Sequence, residues 1–189
     1  MSKKLIVIAG PNGSGKTTFA LEYVAAYGFE YLSADAIAAE ISPGDWDKAK
    51  IKAGKLFLQR LGQLVKANKS IIVESTLSGL SFRKTIEDLI SAGYEVQIIF
   101  VFLESPEICI ARIKERVLEG GHHVPDEDVK RRFHRSIGNF WDIYRNLADY
   151  WNLFYNSNES FQEVALGEKQ NLTVVDEFLL EQFLKRAEK

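Results

Sequence analysis

The chain has 189 residues, enough for one domain with a substantial core, and 46% of them are hydrophobic, which excludes disorder as its default state. Its 24 basic and 26 acidic residues leave a formal charge of −2, so no field of one sign favours nucleic acid, a membrane surface or an acidic partner, and any anion site must be local. The longest apolar run, Ile98 to Leu103, falls far short of the roughly 20 residues that cross a bilayer as a helix, and a lone Cys109 without a secretory leader pattern makes a reduced, cytoplasmic setting the expectation.

Leu5 to Ala9 is a continuous apolar run rich in β-branched residues and ended by Gly10, the pattern of a parallel strand buried on both faces. It leads into Gly10-Pro11-Asn12-Gly13-Ser14-Gly15-Lys16-Thr17, a match to G-x-x-x-x-G-K-[ST] placed after a strand and before a helix over Thr17 to Tyr27. Glycines let the backbone turn its N–H groups onto phosphate oxygens, and the helix adds the partial positive charge of its N-terminus. Lys16 is expected to reach the β- and γ-phosphates of ATP, and the Thr17 hydroxyl holds the position of a magnesium ligand. Thr18, whose hydroxyl reads first as structural, is counted with this cofactor-binding stretch.

A weakly marked second strand around Glu30 to Leu32 delivers Asp35 near the edge where open α/β sheets bind ligands. A hydroxyl that attacks the γ-phosphate needs a group to orient it and accept its proton, and Asp35 is the candidate. The competing assignment makes Asp35 the N-cap of a helix beginning near Ala36. A helix over Lys48 to Ala67 leads to a third strand, Ser70 to Glu74, which brings Glu74 and Thr76 to the same edge. Glu74 can orient magnesium-bound water or grip a substrate hydroxyl; each of the two also reads as an ordinary residue at a strand end.

A helix over Phe82 to Ala92, a strand over Val96 to Leu103 and a helix over Pro106 to Leu118, with Ser105 as N-cap and Pro106 at its first position, continue the alternation. Arg112 and Arg116, four apart, project from one face of that last helix. Gly120-Gly121-His122-His123-Val124-Pro125 interrupts the pattern, and helical spacing resumes from Asp126 to about Leu147. The two helices are expected to form a mobile hairpin, a lid over about residues 112–136, whose cations Arg112, Arg116, Arg131, Arg132 and Arg135 close on the phosphates. His122 and His123 lack the spacing of a metal pair and are assigned to lid structure. The aromatics Phe133, Phe140, Trp141, Tyr144, Tyr150, Trp151 and Phe154 are assigned to the core.

A strand over Trp151 to Tyr155 and a polar loop over Asn156 to Ser160 end the assignments. Alternating strands and helices without repeat or linker make residues 1–189 a single α/β domain, a P-loop NTPase fold with a helical lid.

Gly10 to Thr17, Ser33-Ala34-Asp35, Glu74-Ser75-Thr76, Arg112 to Arg116, and Gly120-Gly121-His122 through Arg131-Arg132 together resemble the zeta-toxin family of P-loop kinases, over roughly Leu5 to Ser157. The block from Arg112 to Ser136 is closer to chromosomal zeta-like proteins than to plasmid toxins. The resemblance implies a three-layer sandwich with a sheet ordered 2-3-1-4-5, and phosphorylation of the 3′-hydroxyl on the amino sugar of UDP-N-acetylglucosamine. It implies Asp35 as general base, Glu74 and Thr76 on the sugar nucleotide, and Lys16 and Thr17 on phosphate and Mg2+. It further implies Arg116 with Arg131 or Arg132 on the γ-phosphate, and Arg112 stacked on adenine. Ser33 stands where relatives often carry Asn, and Asn156 stands for a common Asp, a change expected to affect only a loop. An antitoxin, if one acts, is expected to be a separate protein. The competing functions are polynucleotide kinase, against which the near-neutral composition argues, another small-molecule kinase, and a noncatalytic ATP-binding switch.

Overall fold

Alternate residues of the first strand, β1 (Lys3–Ala9), serve two different cores: Leu5, Val7 and Ala9 point into the larger one and Ile6 and Ile8 into the smaller. This is the two-residue period of a strand buried on both faces. The computed structural model describes residues 2–42, 46–157, 160–168 and 171–187. Its sheet adds β2 (Glu30–Ser33), β3 (Ile71–Ser75), β4 (Tyr94–Phe102), β5 (Tyr150–Asn156), β6 (Phe161–Glu168) and β7 (Asn171–Val174), in the order β2-β3-β1-β4-β5-β6-β7. The first five strands in that order are parallel; β6 pairs antiparallel with β5, and β7 pairs antiparallel with β6.

The helices divide between the two faces. On one side α1 (Lys16–Tyr27) packs Phe19 and Ala20 against Ile6, Ile8, Ile72, Ile99 and Val101. On the other, α2 (Ala34–Ile41), α3 (Trp46–Lys66), α4 (Ser81–Ser91), α5 (Pro106–Leu118), α6 (Asp126–Asp142) and α7 (Glu177–Ala187) share the larger core. The result is the expected three-layer α/β sandwich. At the centre of the larger core Phe100 of β4 stacks on Phe140 of α6, with ring centroids 4.4 Å apart, and Phe183 of α7 meets both edge-on. Phe133, Tyr144 and Trp151 are buried here as expected, whereas Tyr150 is 39% exposed.

β1 lies between β3 and β4, with Leu5 level with Ile71 on one side and Val96 on the other. Chain direction out of the sheet reverses at such a point, and the crevice beyond the carboxyl end of the strand is where open α/β sheets take ligands. The Gly10–Gly15 loop occupies that crevice.

Two expectations need correction. Half of the predicted lid is a core element: α6 buries Val129, Phe133, Ile137 and Phe140, and its Ser136 and Asn139 side chains donate to the carbonyls of Thr76 and Leu77. Only the Glu119–Pro125 segment stays outside regular structure between the two helices. No element is predicted beyond Tyr155, yet β6, β7 and α7 follow. Asp176 starts α7 by accepting from Leu179 N at 2.9 Å, and Leu180 and Phe183 bury its apolar face. Of the polar loop after β5, residues 158 and 159 lie outside the described residues.

Candidate active site

The phosphate loop carries its conformation in three glycines with positive φ, 141° at Gly10, 80° at Gly13 and 95° at Gly15. All three also pack too closely for a side chain. A Cβ on Gly10 would collide with the Val101 carbonyl oxygen, one on Gly13 would stand 2.7 Å from the Cys109 carbonyl oxygen, and one on Gly15 would press on Asn156 Nδ2. Asn156 is therefore more than a loop residue: its Nδ2 donates to Ser14 O at 2.9 Å, fixing the loop from β5. Cys109 beneath the loop is fully buried, and burial pushes its thiol up to about 12.

The donor set fits a polyphosphate. The Ser14 hydroxyl, which can donate to a phosphate oxygen, is buried with no hydrogen-bond partner among the described residues, and unmet groups of this kind are rare in folded proteins. The Lys16 ammonium, 6% exposed, donates to Pro11 O at 2.8 Å. Burial holds it below the usual lysine range, against the opposing pull of Glu74 and Asp35. A phosphate would supply the anion that such a buried cation calls for.

Thr17 and Glu74 meet at the mouth of this loop. The Thr17 hydroxyl donates to both carboxylate oxygens, at 3.0 and 3.2 Å, and Tyr31 OH donates to Glu74 Oε2 at 2.7 Å. Burial, then the Glu74 charge, raises the Tyr31 phenol. β2 and β3 bring these groups together by register, since Tyr31 pairs with Ile72 and Ser33 with Glu74. A hydroxyl and a carboxylate beside a phosphate loop form the hard oxygen pair that suits Mg2+, which takes few protein ligands. Among the described residues no three His, Cys, Asp or Glu side chains cluster as a metal cage.

Asp35 is not the cap of its helix. Ser33 takes that role, its Oγ accepting from Ala36 N at 3.4 Å, and Asp35 falls in the first turn with its side chain 59% exposed. It stands on a wall shared by two cavities. The first, of 870 Å³, runs along the phosphate loop past Thr17 and Thr18 to Arg112, Arg116, His122 and Phe161. The second, of 400 Å³, is bounded by Phe57, Phe82, Thr76, Thr85 and Arg132. Asn12, Lys16, Ser33, Asp35 and Glu74 line both.

The arginines separate. Arg112 and Arg116 face the larger cavity together. Arg116 Nη2 donates to His122 O at 2.9 Å, while its Nε is buried with no hydrogen-bond partner among the described residues. Arg132 lines the smaller cavity and contacts Asp128 at 3.2 Å. Arg131 lines neither cavity, because α6 turns it outward onto Asp128 at 2.6 Å, and the exposed Arg135 lines neither as well. Of the two adjacent arginines only Arg132 borders the site.

Sequence reasoning missed several residues. His122, assigned to lid structure, brings Nε2 to 3.8 Å from Asp35 Oδ2. Tyr31, Phe57, Phe82 and Thr85 carry no motif, and Asn156 and Phe161 flank the phosphate loop from a hairpin whose second strand was not predicted. Thr76 and the residues after it form a loop held from α6 and the 3₁₀ turn Tyr144–Asn146. Ser136 Oγ donates to Thr76 O, Asn139 Nδ2 to Leu77 O at 2.8 Å and Tyr144 OH to Gly79 O at 2.6 Å. The buried Leu77 has φ of 52° in that loop, a strained value that these bonds maintain.

The sheet order and the glycine loop define the class, a nucleotide-binding P-loop domain with a kinase-like fold. The family profile of the AAA_33 group, an AAA domain, matches residues 5–136, and the chain belongs to that family. An uncharacterized protein of Haemophilus influenzae is 33% identical to it over 139 residues, covering 70% of this chain and 94% of that protein. Among solved structures, the AvrRxo1-ORF1:-ORF2 complex with ATP superposes with a TM-score of 0.76 at 18% identity, covering 96% of this chain. This chain spans 63% of the length of that one. The PezAT chromosomal toxin–antitoxin system of Streptococcus pneumoniae gives a TM-score of 0.67 at 19% identity, covering 97% of this chain and 79% of that one. At such identities the likeness is one of fold.

Proposed function

We propose that this chain is an ATP-dependent phosphotransferase that phosphorylates an alcohol hydroxyl of a small molecule. The observation that carries the reading is the wall shared by the two cavities, where Asp35 and Lys16 border both the larger cleft and the smaller pocket. A group transfer between two bound molecules needs such a junction, with the base and the cation at the boundary.

In this reading the amides of Gly13 to Thr17 and the Lys16 ammonium hold the triphosphate, with Gly10 to Thr18 as the surrounding stretch. Thr17, backed by Glu74, holds Mg2+, which when bound neutralises charge on the transferring group. Arg116 takes the γ-phosphate with its buried Nε and Arg112 covers the nucleobase. Asp35 orients the acceptor hydroxyl and receives its proton as the oxygen attacks phosphorus. Glu74, Thr76 and Arg132 contact the acceptor in the smaller pocket. The arrangement lowers the barrier through positioning and fixed charge rather than covalent chemistry.

The zeta-toxin resemblance supplies the finer proposal: the acceptor is the amino sugar of UDP-N-acetylglucosamine, phosphorylated at its 3′-hydroxyl, and a separate antitoxin is the partner. The fold shared with the PezAT toxin–antitoxin system supports the partner, and the acceptor rests on the resemblance alone. A cytoplasmic site of action is part of this proposal; among the described residues no helix is long and apolar enough to cross a membrane.

Incubation of the protein with ATP, Mg2+ and a panel of sugar nucleotides, nucleosides and oligonucleotides, followed by mass spectrometry, tests the proposal. Addition of one phosphate to a UDP-N-acetylamino sugar is the expected outcome. Phosphate on another small hydroxyl compound would retain the kinase and replace its acceptor. Addition only to oligonucleotide ends, or to nothing in the panel while Asp35→Ala leaves the biological effect intact, would replace this reading with a polynucleotide kinase or an ATP-binding switch.

A further inference from the structure

The Gly120–Pro125 segment has no task in the phosphate transfer described above, yet its course is built around Arg116. Gly120 has φ of 88°. A Cβ on Gly121 would stand 2.5 Å from Arg116 Cγ and 2.9 Å from Arg116 O, and Gly121 N donates to that same carbonyl at 2.9 Å. The chain wraps the arginine so closely that glycine alone fits at 121. The wrap continues at His122, whose carbonyl accepts from Arg116 Nη2 at 2.9 Å.

The His122 ring turns the other way. Its side chain is 15% exposed, and Nε2 lies 3.8 Å from Asp35 Oδ2 on α2. One residue thus holds the cation through its backbone and faces the carboxylate with its ring. The charged groups around the imidazole come from four elements: Asp35 of α2, Arg116 of α5, Lys50 of α3 and Lys16 of α1. Burial and the three cations favour the neutral ring, and Asp35 opposes them.

We propose that His122 is a positioning residue that couples Arg116 to Asp35, orienting the carboxylate toward the acceptor when the turn is closed on the arginine. The inference rests on the phosphotransferase reading for its catalytic meaning, but the coupling itself does not depend on it. At 3.8 Å the two groups interact through charge without a hydrogen bond; a neutral imidazole moved closer by well under ~1 Å can donate Nε2–H to one carboxylate oxygen and leave the other for the substrate. His122 takes no proton in the transfer: the acceptor O–H bond breaks toward Asp35, the new O–P bond forms, and the bond from phosphorus to ADP breaks. A protonated His122 would instead pair with Asp35 and weaken it as a base.

The coupling is measured first in the nucleotide-free protein, which requires no acceptor. Imidazole resonances are followed by NMR against pH, with His122→Gln assigning the His122 signal among the three histidines. Removing the Asp35 charge by Asp35→Asn is expected to move the His122 midpoint down by about half a unit or more. An unchanged midpoint would overturn the coupling, whatever the acceptor proves to be. With an acceptor in hand, His122→Gln and His122→Asn are each expected to lower kcat roughly tenfold, leave the ATP dissociation constant within about twofold, and change the acid limb of the kcat/KM profile. Wild-type kcat with an unaltered acid limb in both variants, each folded by circular dichroism, would remove His122 from the reaction. Failure of the wild type to phosphorylate any acceptor would count against the proposed function and leave the NMR result to decide the coupling.

Discussion

The Thr17 hydroxyl lies 3.0 Å from Glu74 Oε2, joining the first turn after the phosphate loop to the end of the third strand. Fifty-seven residues separate the two in sequence, and the parallel pairing of β1 with β3 closes that distance, since Ile8 is level with Glu74. The bond places a carboxylate where a cation held by Thr17 would need a second anionic neighbour.

Thr17→Ala is accordingly expected to raise the Mg2+ concentration for half-maximal turnover by about tenfold or more, a loss of roughly 1.4 kcal/mol. Glu74→Gln should shift it in the same direction by less. Titration of activity with Mg2+ at saturating ATP checks both, and an unchanged midpoint in Thr17→Ala would remove it as a ligand.

Lys16 carries a stability prediction with a definite sign. Its folded-state pKa lies below the unfolded value, so between the two the unfolded chain binds more protons and the stability of the ATP-free protein rises with pH across that window. Lys16→Met removes the buried charge and should flatten this rise, while abolishing the ATP-induced increase in Tm. Urea titrations at several pH values below the lysine range read the first effect, and thermal unfolding with and without ATP reads the second.

Gly13→Ala is expected to cost about 1–3 kcal/mol in folding stability, because alanine at φ of 80° is strained and its Cβ would press on the Cys109 carbonyl. Weaker ATP binding should accompany it. Denaturant midpoints and equilibrium dialysis measure the two losses separately.

Tyr144 OH ends its fully buried side chain on Gly79 O. Tyr144→Phe keeps the ring and leaves that carbonyl without its donor, at a cost of about 1–2 kcal/mol. Since the bond holds the loop that borders the smaller cavity, the acceptor KM should rise while the ATP KM stays unchanged. Steady-state kinetics with each substrate varied in turn distinguishes this from a general loss of stability.

The parallel half of the molecule was readable because its signals are local. Continuous β-branched runs at Leu5 to Ala9 and Val96 to Leu103 announce strands buried on both faces, and Ser105-Pro106 announces a helix start. β6 and α7 were missed for want of a motif, although Asp176 followed by Leu179, Leu180, Phe183 and Leu184 has the form of a capped amphipathic helix. At the site, Lys16, Thr17, Asp35 and Glu74 were legible from the loop pattern and from strand ends. Tyr31, His122 and Asn156 were not, because their places depend on which strands pair and on how tightly the chain folds round Arg116. The separation of Arg132 from Arg131 likewise follows from the rotation of α6, which its core face sets.

The most direct measurement compares wild type with Asp35→Asn in single-turnover phosphate transfer from ATP, with ATP binding followed in parallel by calorimetry. Loss of the base is expected to lower the transfer rate by about 10²–10⁴-fold, with the ATP dissociation constant within about twofold of wild type. A variant that transfers phosphate at the wild-type rate would contradict the placement of Asp35 at the junction of donor and acceptor.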